Sequence, residues 1–147
     1  MLSAVIITQI LLFAYFVLIS YVNLYPFNNI AHTYSDVHYT DRTLGMIFIG
    51  LAPFGFLFSI PLLMLFGTVL MTLFLVNGIV TWWVPYFGKP TVAWAQTYQQ
   101  IHKPTLVFLP GKEAKPAPNA EHVILHGLAL TATTLSIVYL AGSWPLF

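Results

Sequence analysis

The chain alternates long apolar runs with short polar windows. The first run, residues 4–22, is close to the ~20 residues a helix needs to cross ~30 Å of hydrocarbon, and Gln9 is its one strongly polar interior residue. Tyr21, Tyr25 and Pro26 mark its far end, where amphipathic aromatics favour a membrane interface. A polar, aromatic-rich stretch follows from Asn23 to Arg42. From Leu44 to Tyr86 there is no charged residue. As one helix this run would extend about 64 Å at ~1.5 Å per residue, twice the bilayer core. It must therefore fold back into two spans, near 43–62 and 64–86.

Two sites compete for the turn between them. Ser59-Ile60-Pro61 offers a proline suited to a first helical turn, and Phe66-Gly67-Thr68 offers a stop and restart. Pro53 lies inside the second span and predicts a kink. Trp82, Trp83, Tyr86 and Trp94 read as an aromatic girdle at the third span's end. Beyond Pro85, Trp94, Tyr98 and Ile101 recur at helical spacing opposite Gln96, Gln99 and Gln100. They predict a short helix, lying on the membrane or packed on the protein's own body. Residues 112–119, with Pro116 and Pro118, read as an exposed irregular linker. The fourth span, 120–141, opens on Asn119 as N-cap with Glu121 complementing the helix dipole. It closes at Gly142, before Trp144 and Pro145.

The pattern thus predicts an all-α integral membrane fold of four transmembrane helices in a single polytopic domain. Composition agrees: the 147 residues are 59% hydrophobic and only 6% charged, against about 25% charged in soluble domains. The first run lacks a basic flank and is too long for a signal-peptide core, so it reads as a retained span. A net charge of +1 gives no electrostatic footprint for nucleic acid. The absence of cysteine excludes disulfides, thiolate metal sites, Fe–S clusters and cysteine nucleophiles.

Charge placement adds a topology. The five basic and four acidic residues fall in two windows, 36–42 and 89–121. With four spans, both windows lie on one side, and positive charge marks that side as cytoplasmic. Loops 23–42 and 87–119 are then cytoplasmic, and both termini face the periplasm, the exterior or a lumen. Lys112 and Lys115 serve as orientation signals or contacts with anionic membrane lipids.

The five histidines fall in or beside the same windows. Histidines at i and i+4 share a helix face about one turn apart, so His122 and His126 form the sharpest chemical feature. Neutral imidazole is the commonest metal ligand, and the pair could hold a metal ion or haem if His32, His38 and Asp36 of the first loop completed the set. The glutamate precedes the histidines, so the H-E-x-x-H metalloprotease arrangement is missing. Structural pairing of both histidines is the plainer alternative. An ionisable group inside a span is nevertheless a functional-site hypothesis by default.

Other polar residues read as helix packing. Gly55 and Ser59 form a small-xxx-small step, and His126 continues through Ala129, Thr133 and Ser136 along one face. Asn77 and Thr81 sit one turn apart in span three, within reach of the His126 face. Gln9 is placed to bridge helices. No Walker A, dinucleotide-glycine or G-x-S-x-G pattern occurs.

Three functions are compatible with this reading. The first expectation is a structural or accessory subunit of a larger membrane complex, not a stand-alone enzyme, with other integral membrane subunits or further copies of itself as partners. The second is a membrane enzyme or electron carrier with a histidine-based metal or haem site. The third is a homo-oligomeric channel or transporter built on the Thr133–Ser136 stripe.

Overall fold

The structure, a computed structural model, describes residues 1–30, 36–110 and 116–143, with the backbone alone along 36–41. His32, Lys112 and Lys115 lie outside the described residues, as do Trp144, Pro145 and the side chains of Asp36 and His38.

Every regular element is helical, and there is no strand among the described residues. Helix α1 is Leu2–Tyr21. Helix α2 is Asp36–Leu57, with Pro53 inside it. Helix α3 runs over Pro61–Phe87, α4 over Val92–Thr97 with a continuation at Tyr98–His102, and α5 over Ala120–Ser143. Helices α1, α3 and α5 are long and apolar enough to cross a membrane, compatible with a multi-pass protein. The apolar part of α2, Arg42–Leu57, is shorter. This helix starts seven residues before the expected span at 43, inside the stretch read as a loop, and its amino-terminal part carries the charged window.

The turn between α2 and α3 falls at the first of the two expected sites. Pro61 occupies the first turn of α3, and Ser59 adopts a left-handed φ of 53°. The Ile60 N–H donates to Gly55 O at 2.9 Å and the Ser59 N–H to Phe56 O at 3.4 Å, satisfying carbonyls that a helix end leaves open. Gly67, the rival turn site, is instead a contact point in the second turn of α3, close to the α2–α3 turn. A Cβ there would lie 2.6 Å from the Ala52 backbone, and one at Gly55 would lie 2.6 Å from the backbone at Leu63–Met64. These two glycines let α2 and α3 approach backbone to backbone, the geometry small residues permit in membranes.

Helices α2 and α5 each pack on both α1 and α3, giving a four-helix ring. Its core is Leu12, Phe16, Ile49, Met71, Leu125 and Ala129, extended at the α2–α3 turn by Val5, Phe56 and Met64. A polar clasp crosses the ring's interior: Gln9 Nε2 donates to Ser136 Oγ at 2.8 Å, and Ser136 Oγ donates to Ala132 O at 2.6 Å.

The connection before α5 departs from the exposed linker expected there. Pro116, Pro118 and Asn119 are fully buried and Ala117 nearly so. The physical reason is donor economy. The two prolines have no N–H to leave unsatisfied, and the Ala120 N–H donates to Leu106 O at 2.7 Å. The Leu106 N–H in turn donates to Pro26 O at 2.7 Å, joining the first and third connections at one end of the ring.

Candidate functional site

At that end the ring opens into a cavity of about 680 Å³. The carboxyl-terminal part of α1, the start of α2, the far part of α3, α4 and the first turns of α5 all contribute walls. Five separate elements therefore bring the chemistry of both charged windows to one place.

Asn119 organises the floor. Its Oδ1 accepts the His122 backbone N–H at 3.2 Å, the capping bond of α5, and its Nδ2 donates to Thr105 Oγ1 at 2.9 Å. Because Oδ1 already accepts from a backbone donor, it is an oxygen by chemistry, and His122 Nδ1, 2.6 Å away, must donate to it. In the neutral ring this leaves the lone pair on Nε2.

His126 is held in the opposite tautomer. Trp83 Nε1 donates to its Nδ1 at 3.0 Å. Indole is a donor only, so Nδ1 accepts and the proton of the neutral ring sits on Nε2. That Nε2 lies against Gly78, where a Cβ would overlap it. The pair spaced i and i+4 thus presents one acceptor nitrogen and one donor nitrogen.

The ring centroids of His122 and His126 are 5.9 Å apart. A metal shared through both Nε2 atoms would need the His126 proton removed and the Trp83 bond broken. Among the described residues, no group of three or more His, Cys, Asp or Glu side chains is placed to hold a metal ion. Where the metal or haem expectation is concerned, His122 Nε2 is the better-placed single ligand. Its Nδ1–H is anchored on a carbonyl oxygen, as metal-bound imidazoles generally are.

Aromatic rings enclose both histidines. Trp82 lies over His122 at a centroid distance of 3.8 Å and meets His102 edge-on at 4.8 Å and Trp94 at 5.0 Å. Trp82 is 5% exposed. Trp82 and Trp83, expected in an aromatic girdle, both contact α5, and the helix widens to π geometry over Ile79–Trp83. The cause is Pro85. In an α-helix its ring would collide with the carbonyl four residues earlier, at Thr81, and a wider turn just before it relieves that contact. A second π turn, Tyr98–His102, brings His102 to the same wall. Such turns are frequent at functional sites.

The remaining candidate residues separate into two groups. Asn77 and Thr81 line the cavity. Gly55 and Ser59 belong to the α2–α3 contact and turn, at the opposite end. Thr133 and Ser136 are buried along α5, Ser136 in the Gln9 clasp and Thr133 with its Oγ1 lacking a hydrogen-bond partner. His102 and Trp82 are site residues that spacing alone did not single out. The i, i+4, i+8 recurrence of Trp94, Tyr98 and His102 was the signal for the first.

One basic and one acidic side chain also line the cavity: Arg42, in the amino-terminal part of α2, and Glu121, in the first turn of α5. Tyr15 Oη donates to Glu121 O at 3.0 Å, tying α1 to the same turn. Comparison with protein-family models, curated proteins and solved structures finds no match for the chain.

Proposed function

We propose that this protein is a multi-pass membrane protein that binds a small ligand in the cavity at the histidine end of its helix ring. The observation that carries the reading is the cavity itself. Its volume falls within the ~300–1,000 Å³ of small-molecule sites, and such sites combine apolar walls with a few convergent polar groups. Here α2 serves as the fourth and shortest span, its charged amino-terminal part standing at the membrane surface. The end holding Arg42 and Lys89 faces the cytoplasm, in keeping with the positive-inside rule.

An accessory role in a larger membrane complex is compatible with this reading, because it concerns the outer faces. Ile7, Leu11 and Leu18 on α1 and Val69, Leu73 and Val76 on α3 are exposed, and lipid or partner helices would cover them. Co-purification of larger membrane proteins in mild detergent supports that role, and a lone, fully active monomer contradicts it.

The ligand reading is tested by extracting the protein from native membranes and identifying bound small molecules by mass spectrometry and visible absorption. A stoichiometric molecule is expected, absent from Thr81→Trp, whose added ring intrudes into the cavity beside the histidines. Wild-type protein that retains no small molecule, or a Thr81→Trp protein that retains it equally, overturns the reading. A haem band would identify the bound group as haem.

A further inference from the structure

The cavity's hydrogen-bonding complement is specific enough to narrow the ligand class. Trp94 lines the cavity, with its Nε1 closed to the cavity space. His126 Nε2 carries a proton, assigned through the Trp83 bond. His122 Nε2 carries a lone pair, assigned through Asn119. The site therefore asks its ligand for oxygen lone pairs and for at least one hydroxyl donor.

Two further properties follow from the walls. Apart from the histidines, the ionisable side chains among the described lining residues are one basic, Arg42, and one acidic, Glu121, so the lining holds no excess of either kind to favour a charged ligand. Phe16, Phe48, Phe74 and Leu44 line the same space, and Leu44 is 46% exposed on the apolar part of α2. A ligand with a flat aromatic head and an apolar tail matches this sequence of surfaces. The rings beside it favour edge or offset contacts with an aromatic head.

We infer that the cavity takes the head group of a neutral, lipid-soluble hydroquinone. One hydroxyl donates to His122 Nε2. A lone pair of a ring oxygen accepts from His126 Nε2–H. A quinone, which has no hydroxyl, offers nothing to His122. The inference concerns binding and discrimination between the two forms. It rests on the reading of the cavity as a ligand site.

The test is calorimetric titration of the full-length, delipidated protein in detergent with decyl-ubiquinone and with the same compound reduced by dithionite. The reduced form is expected to bind saturably at one site per chain, about ten-fold more tightly than the quinone, the scale of one lost hydrogen bond. His122→Ala abolishes the preference by weakening the hydroquinone alone. His126→Phe weakens both forms alike, because both carry oxygen lone pairs that accept from its Nε2–H. Gln9→Leu, distant from the cavity, leaves both affinities unchanged and controls for folding. Equal affinity for the two forms in the wild type, or indifference to both His122→Ala and His126→Phe, overturns the inference. If neither form binds while protein from native membranes carries a different molecule, such as a sterol or haem, lost in Thr81→Trp, the ligand class is wrong and the cavity reading stands. If neither form binds and nothing co-purifies, both fall.

Discussion

The two ends of the helix ring solve the same problem in opposite ways. At the α2–α3 turn, Gly55 and Gly67 bring backbones together, and Val5, Phe56 and Met64 close the core. Along the interior toward that end, Gln9 finds Ser136 as a partner. At the other end the helices end among polar connections, two turns widen to π geometry, and polar atoms face a cavity. The first arrangement is tight packing with paired polar groups. The second spends aromatic side chains and buried prolines on holding two imidazoles in fixed and opposite tautomers. A protein that needed only a stable bundle could have repeated the first solution at both ends.

Lesions at the two ends should separate stability from binding. The largest stability effect is expected for Gly67→Leu, because its Cβ meets the Ala52 backbone, which cannot move aside as a flexible side chain would. Overpacking of this kind costs about 3 kcal/mol or more, read as a drop in the denaturant midpoint or in Tm in detergent. A near-wild-type midpoint would show that α2 and α3 do not approach so closely.

Asn119→Ala comes next. It removes the α5 cap, the bond to Thr105 and the anchor of His122 Nδ1, for a cost of about 2 kcal/mol. Its sharper consequence is at the cavity. With Nδ1 freed, His122 can exchange tautomers, and ligand affinity should fall by more than the stability loss alone explains. Loss of stability with intact binding in the fraction that remains folded would separate the cap from the site.

The smallest effect is expected for Gln9→Leu. Interhelical hydrogen bonds in membranes average about 0.6 kcal/mol. Gln9 also leaves its own Oε1 without a partner, so removing the amide recovers part of that cost. A Tm change within error, with binding unaltered, is the expected outcome. A large loss would mean that the clasp holds the two ends in register.

The comparison also shows what the sequence made legible. The apolar runs located α1, α3 and α5 to within a few residues, because span length is set by the bilayer and needs no tertiary information. The Asn119 cap and the gathering of both charged windows at one end followed from equally local rules. The start of α2 did not, since its charged residues read as loop. The roles of Trp82 and Trp83 were also hidden. Amphipathic aromatics near a span end suit an interface equally well, and the contacts of both with α5 are tertiary. Pro116 and Pro118 misled for a related reason: prolines signal exposed connections, yet their missing donors make them inexpensive to bury. His102 continues the spacing of Trp94 and Tyr98 by one more step of four, but the π turn that brings it to the cavity wall has no such signal.

The most direct test of the ligand site is an experimental density map of the wild-type protein taken from native membranes without delipidation. Continuous non-protein density is expected inside the cavity, within hydrogen-bond distance of the Nε2 atoms of His122 and His126. A cavity collapsed by inward side chains, or one holding only scattered water, would contradict the ligand site.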